Sequence, residues 1–475
     1  MSKFHVAVLA SPGLGHVTPL FELAKRLVTH FDLHVTFLVI TSTIPSPAQD
    51  QLLHSATLPQ DLHVVDLPPV DASSLVTDDM LLLTQLCVMV QHSLNSSLKS
   101  ALLQIKPKAL IIDIFCTQAF DICKDLHIPV YSFFTASAAL MTLSLYLPTM
   151  DRDIQGQFVY LPEPVNVPGC TPIRTHDLLD QVRNRNNDEY KWYLYHVARL
   201  PLAAGIFLNS WEGIEPVSIK AVKEHSFYKE IPIPPVFSVG PLIKQVECIP
   251  LTDSDLDLLR WLDDQPSESV LFVALGSGGT FTIHQLEELA VGLEQSEQRF
   301  VLVVRFPSDR SSASFFDVGS GKEDDDPVAY LPEGFVERTK GKGMVVRSWA
   351  PQAEVLSHPS TGGFLSHCGW NSTLESVSNG VPMIAWPLYA EQRMNATILE
   401  EEAGVAVKTC RVVGEDVVVG REEIEKVVRL VMEGEKGKLL RKKAKLLKKS
   451  AALSLNDGGD SCESLAKVVR GWKLM

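Results

Sequence analysis

Short apolar runs of about six residues, rich in Val, Ile and Leu, recur along the chain and alternate with longer stretches of helical spacing. In the first half they are "HVAVLA" from His5, "HVTFLVI" from His34, "ALIIDIF" from Ala109, "PVYSFF" from Pro129 and "GIFLNS" from Gly205. In the second half come "SVLFVAL" from Ser269, "RFVLVVR" from Arg299, "GMVVRSW" from Gly343, "GGFLSH" from Gly362 and "VPMIAW" from Val381. Near-continuous apolar runs of this kind are strands covered on both faces, as in a parallel sheet between helices. The rhythm predicts an α/β protein of two domains. The Pro-rich "PIPPVFSVGPLIKQVECIPLTDSD" has no sustained period and puts the division between Val239 and Asp255. Two other segments break the rhythm. "PSDRSSASFFDVGSGKEDDDP", from Pro307, is polar and acidic and reads as an exposed loop. "LLRKKAKLLKKSAALS", from Leu439, has Leu at helical spacing with Lys between and reads as a solvated amphipathic helix rather than a membrane or RNA patch.

Composition narrows the classes. The 475 residues, 45% hydrophobic and 21% charged, are those of a globular protein and not of a disordered or fibrous one. A formal net charge of -14 argues against nucleic acid or an anionic membrane as partner, since both reward Lys and Arg. The apolar start "MSKFHVAVLASPGLGH" is too short for a signal peptide and lacks a cleavage site, and no run approaches the ~18 apolar residues of a membrane helix. The eight cysteines are scattered without a CxxC pair, which fits a reducing cytosol. The sequons at Asn95, Asn371 and Asn395 then read as chance matches.

In open α/β sheets ligands sit beyond the carboxyl ends of the strands, and that rule selects residues. The loop after the first strand is "SPGLGH", ending at His16, and "ALIIDIF" delivers Asp113 near its own carboxyl end. The two are expected to be neighbours on one sheet edge, where a carboxylate would orient an imidazole as general base. The bland alternative has His16 capping the next helix and Asp113 bonding a backbone amide. Ser11 lacks the GxSxG context of a nucleophile elbow. In the second half "GSGGTF", from Gly276, and "HCGWNSTLES", from His367, again follow strands, and neither "GSGGTF" nor "GLGHVT" completes GxGxxG. Ser372 and Glu375 have the spacing of a capping box, with Gly380 where the helix stops. A helix starting at Asn371 or Ser372 would turn its N-H groups and positive dipole end towards a phosphate, with Asn371, Ser372 and Ser277 as neutral donors and His367 as a charge-assisted one. A metal site at His367 and Cys368 lacks a second ligand pair, and a Cys368 nucleophile lacks a base. An anion site is the strongest reading, with a purely structural capped helix as its rival.

The segment 349–392, "WAPQAEVLSHPSTGGFLSHCGWNSTLESVSNGVPMIAWPLYAEQ", closely resembles the donor-binding signature box of plant family 1 UDP-glycosyltransferases. "SPGLGH", "DIF", "GSGGT" and the box occur in that family's order, and "GSGGT" with "YAEQ" is most similar to its phenolic, hydroquinone and monolignol branch. The resemblance implies a GT-B fold: two Rossmann-like domains whose parallel sheets face each other across a cleft. Residues 1–244 would bind the acceptor and 245–455 the UDP-sugar, with 456–475 a helix crossing back to the first domain.

The same resemblance implies roles. Trp349 would stack on uracil, with the Ala350 backbone and Gln352 at its edge. Glu375 would hold the ribose hydroxyls, which competes with its capping role. His367, Asn371, Ser372 and Ser277 would hold the diphosphate, and Trp370, Glu391 and Gln392 the sugar. Gln392 suggests glucose, whereas Glu391 stands where aspartate is commoner. His16 and Asp113 would be the catalytic pair of an inverting transfer from UDP-glucose to a small aromatic hydroxyl. No metal or further cofactor is implied, and a cytoplasmic monomer is expected. A non-catalytic nucleotide-sugar-binding protein and a dinucleotide-dependent oxidoreductase are the alternatives, the latter disfavoured by the missing GxGxxG.

Overall fold

The computed structural model describes residues 3–43, 47–54, 58–71, 75–77, 80–162, 164–244, 251–308, 326–409 and 418–474. Most of the acidic segment from Pro307, together with Cys248 and Cys410, lies outside the described residues. The chain forms two compact units, Met1–Ile243 with Ala451–Met475, and Lys244–Ser450.

The first unit is built on a seven-stranded sheet: β1 (His5–Ala10), β2 (His34–Val39), β3 (Leu62–Asp66), β4 (Ala109–Asp113), β5 (Val130–Phe134), β6 (Gly205–Leu208) and β7 (Val236–Ser238), in the order β3-β2-β1-β4-β5-β6-β7. Every pairing is parallel. The order reverses at β1, which lies between β2 and β4, and such a reversal opens a crevice at the carboxyl edge. Val6, Val8 and Ala10 of β1 are fully or almost fully buried, packed with Leu20, Phe21 and Leu27 of the helix Leu14–Thr29.

The second unit has six strands: β8 (Val270–Ala274), β9 (Arg299–Val304), β10 (Gly343–Arg347), β11 (Thr361–Ser366), β12 (Met383–Ala385) and β13 (Ala406–Lys408). Their order, β10-β9-β8-β11-β12-β13, is again parallel throughout and reverses at β8. Close packing of β11 needs Gly362, where a Cβ would come within 2.0 Å of the Glu268 carbonyl oxygen. The periodicity pointed to ten strands and not to β3, β7 or β13; β7 lies inside the Pro-rich segment read as a connection.

The helix Asp460–Lys473 packs within the first unit. Its Trp472 is fully buried, stacked on Phe4 at 5.9 Å between ring centroids and edge-on to Tyr131 at 5.2 Å and Phe207 at 6.2 Å. Ser461 Oγ donates to the Gly240 carbonyl at 2.6 Å, tying the start of this helix to the end of the first long segment. Trp472→Ala leaves a cavity among three aromatic rings and is expected to lower the stability of this unit by about 3–5 kcal/mol, read as an earlier unfolding transition in urea. Trp472→Phe should recover most of that loss.

Candidate functional site

Two strand-edge constellations gather most of the predicted site residues, one in each unit. In the first, Ser11 follows β1, Gly13 turns the chain with φ 104° ahead of the helix Leu14–Thr29, and His16 stands in that helix's first turn. Asp113 closes β4, the neighbour of β1, with Leu9 opposite Ile112. The adjacency expected from the sequence is therefore formed: His16 Nδ1 lies 2.8 Å from Asp113 Oδ2. Both halves of the alternative reading are answered. His16 does not cap its helix, whose cap is Gly13, while Asp113 does accept a backbone N-H, from Phe115 at 3.0 Å, in addition to holding His16. Ser11 Oγ donates to the other carboxylate oxygen at 2.8 Å, which makes it a supporting donor with no sign of a nucleophile.

Asp113 has no exposed surface. Burial pushes its carboxyl upward, but the neighbouring His16 and the hydrogen bonds from His16, Phe115 and Ser11 outweigh burial and leave it below the usual carboxylate range. Thr135 Oγ1 also approaches His16 Nδ1, at 3.4 Å. Phe115 is half-buried, its ring 5.3 Å from His16 and 5.6 Å from His196. His196 is a residue that sequence reasoning missed. It is fully buried and neutral, its pKa brought down to about 3 chiefly by burial, and it meets Thr117 Oγ1 at 2.8 Å and Cys87 Sγ at 3.4 Å. No sequence signal marks it, because its partners lie far along the chain.

In the second unit the turn after β8 starts at Gly276, in the left-handed region at φ 72°. His367 follows β11, and Cys368, at φ 65°, bends the chain into Gly369, which caps the helix Trp370–Asn379. That bend is held from both sides: Cys368 N-H donates to Ser366 Oγ at 3.4 Å and Asn395 Nδ2 donates to the Cys368 carbonyl at 2.9 Å. Burial pushes the Cys368 thiol up to about 12, so it is no thiolate nucleophile. Among the described residues no group of three or more His, Cys, Asp and Glu could hold a metal ion.

Three expectations are corrected here. The helix begins at Trp370, earlier than Asn371 or Ser372, and the capping box does not form. Gln352 Nε2 instead donates to Ser372 Oγ at 3.0 Å and to Glu375 Oε2, linking the two side chains to the helix Gln352–Ser357. Gly380 does end the helix, at φ 76°. His367, in turn, is not a charged donor in this structure: burial first and Arg305 second bring its pKa down to about 4. Its ring is wedged against Gly276 and Gly369, where a Cβ would approach within 2.5 Å and 2.4 Å.

The remaining predicted residues are placed as follows. Trp349 is half exposed at 48% and stands on the chain after β10, beside buried Ala350. Glu391 precedes the helix Gln392–Thr397 and its Oε1 accepts from Asn395 Nδ2 at 3.3 Å. Gln392 is buried, its Oε1 accepting the N-H groups of Leu388 at 2.9 Å and Tyr389 at 3.0 Å. Asn371 and Ser372 occupy the first turn of the helix Trp370–Asn379, and Ser277 stands in the turn after β8.

Residues 242–435 match the family described as UDP-glucoronosyl and UDP-glucosyl transferase. The chain is similar to UDP-glycosyltransferase 72B1 of Arabidopsis thaliana, 45% identical over 99% of this chain and 96% of that one. It is similar to the hydroquinone glucosyltransferase of Rauvolfia serpentina, 44% identical over 99% and 98%. Among solved structures, TcCGT1 in complex with UDP superimposes with a TM-score of 0.91 at 44% identity, covering 99% of each chain.

Glycine at 276 is set by both its φ and the His367 ring. Gly276→Ala is expected to cost about 1–3 kcal/mol of stability in thermal unfolding. Gly15→Ala is the control: a Cβ there meets nothing within 4 Å, and its melting temperature should be unchanged or slightly higher.

Proposed function

The chain belongs to the UDP-glucoronosyl and UDP-glucosyl transferase family, which it matches end to end through plant glucosyltransferases, and we propose that it transfers glucose from UDP-glucose to a small aromatic hydroxyl, phenolic or indolic, with inversion and without a divalent ion. The observation that carries the chemistry is the 2.8 Å approach of His16 Nδ1 to Asp113 Oδ2. With Nδ1-H given to the carboxylate, Nε2 is the basic nitrogen of the neutral ring. It removes the acceptor proton as the oxygen attacks the anomeric carbon on the face opposite UDP, and a β-glucoside results. Asp113 stabilises the imidazolium that forms and stays ionised throughout.

Within the donor domain, residues 245–455 in this reading, the donor is held by parts with distinct tasks. The half-exposed indole of Trp349 offers a face for uracil, with the Ala350 backbone and Gln352 at the base edge. Glu375 takes the ribose hydroxyls, and its link to Gln352 keeps the carboxylate in place. Ser277, His367, Asn371 and Ser372 face the diphosphate, whose charge grows as the glycosidic bond breaks, so donors already oriented there favour the transition state over the ground state. Trp370, Glu391 and Gln392 hold the sugar. The Gln392 carbonyl is already engaged by two backbone N-H groups, so what this side chain offers a hydroxyl is its amide N-H. Residues 1–244 form the acceptor domain, with 456–475 its returning helix. The enzyme works in this reading as a cytoplasmic monomer; among the described residues no helix is long and apolar enough to cross a membrane.

The test is turnover of UDP-glucose against a panel of phenols, monolignols and indolic hydroxyls, read by mass spectrometry, with the anomeric configuration read by NMR. A β-linked product, undiminished by EDTA, is expected. His16→Ala should lower the rate on a weakly acidic alcohol by about 10²–10⁴-fold. Near-wild-type turnover in that variant would remove the base assignment, and activity abolished by EDTA and restored by magnesium would end the metal-free scheme.

A further inference from the structure

Arg305 directly follows β9 and lies behind the glycine-rich turn that follows β8. Its Nη1 donates to three backbone carbonyls of that turn: Ser277 at 2.6 Å, Gly276 at 3.2 Å and Gly279 at 3.3 Å. Among the described residues no carboxylate pairs with it, although burial acts against its charge. A guanidinium keeps its proton even so, and a part-buried cation is less costly when an anion is bound near it.

The three contacts also fix direction. Across a trans peptide the C=O and the next N-H point opposite ways. Drawing the carbonyls of Gly276, Ser277 and Gly279 towards the guanidinium therefore turns the N-H groups of Ser277, Gly278 and Thr280 away from it. None of these three N-H groups donates a hydrogen bond to any described residue. Successive N-H groups turned outward from one short turn form a concave anion-binding array. The His367 ring packs on Gly276 at the start of this turn and is neutral, its pKa held at about 4 by burial and by Arg305 itself.

We propose that Arg305 is the positioning residue of the diphosphate site: it holds the turn 276–280 so that the N-H groups of Ser277, Gly278 and Thr280 face the diphosphate, and it is the permanent positive charge of that site. This rests on the reading of Ser277 and His367 as diphosphate ligands. It moves the charge of the site from the histidine, where the sequence suggested it, to an arginine that need not touch the ligand at all.

Calorimetric titration of UDP and of uridine into the wild type, Arg305→Met and Arg305→Lys tests this. Uridine keeps the base and ribose contacts and lacks the diphosphate. Arg305→Met should lose about 10- to 100-fold in UDP affinity, the range of charged hydrogen bonds, with uridine affinity changed less than about twofold. Arg305→Lys keeps the charge on a shorter side chain, whose ammonium reaches the three carbonyls less well, and should fall between. A merely structural role would weaken both ligands together, so an unchanged ratio of UDP to uridine affinity in either variant overturns the proposal. If Arg305→Met does not fold, the ratio in Arg305→Lys decides. A wild type that binds UDP no more tightly than uridine would instead refute the diphosphate reading itself, before any variant is made.

Discussion

A carboxylate with no exposed surface stays ionised only when donors surround it, and much of the first unit's carboxyl edge is arranged around the one at Asp113. Its three donors come from separate parts of the chain: Ser11 just past β1, Phe115 just past β4, and His16 from the first turn of the helix between β1 and β2. They converge only because β4 pairs with β1 in parallel register, so that both strands end at one edge. Sheet order is thus a chemical constraint. A shift of β4 by one residue would turn Asp113 to the other face of the sheet, and the buried charge would lose its donors along with its histidine.

The second unit holds the opposite charge by a parallel device. Arg305 has carbonyl oxygens around it where Asp113 has N-H and O-H groups, and the chain again delivers it at the end of a strand next to the reversal point, since β9 pairs with β8. Glycine is what permits the close approach. Side chains at Gly276 and Gly369 would occupy the place of the His367 ring, so the three residues are fixed as a group although they lie on two separate loops.

Legibility in the sequence mostly followed burial, with the part-exposed edge strand β10 read from its apolar run as the exception. Strands covered on both faces, such as β1, β4 and β8, show as apolar runs and were readable. The three unread strands, β3, β7 and β13, are all edge strands in their sheets. Edge strands are shorter or part-exposed, and "LHVVD", "VFS" and "AVK" carry too little apolar pattern to stand out. The His16 and Asp113 pair was readable because strand-end position is a local property and the topology rule supplied the adjacency. The capping box failed for the complementary reason: Ser372 and Glu375 have the right spacing, but Gln352, twenty-three positions from Glu375, takes both side chains, and Gly369 caps the helix. His196 and Arg305 left no trace in the sequence, since what defines each is a set of partners contributed by distant segments.

The two histidines proposed for the site show what decides the chemistry of an imidazole. His16 and His367 both follow a strand of a parallel sheet and both stand near a glycine turn, and by position alone they are equivalent. The nearest charge separates them. An imidazolium formed at His16 rests against a carboxylate, which suits a ring that must accept a proton during the reaction. A proton on His367 would meet burial and a guanidinium, so the ring stays neutral. Each sign was set by a residue about sixty to a hundred positions away, Arg305 for His367 and Asp113 for His16, through sheet pairing. The proposed base and the proposed ligand are therefore distinguished by fold topology, with the same side chain set against opposite charges in the two units.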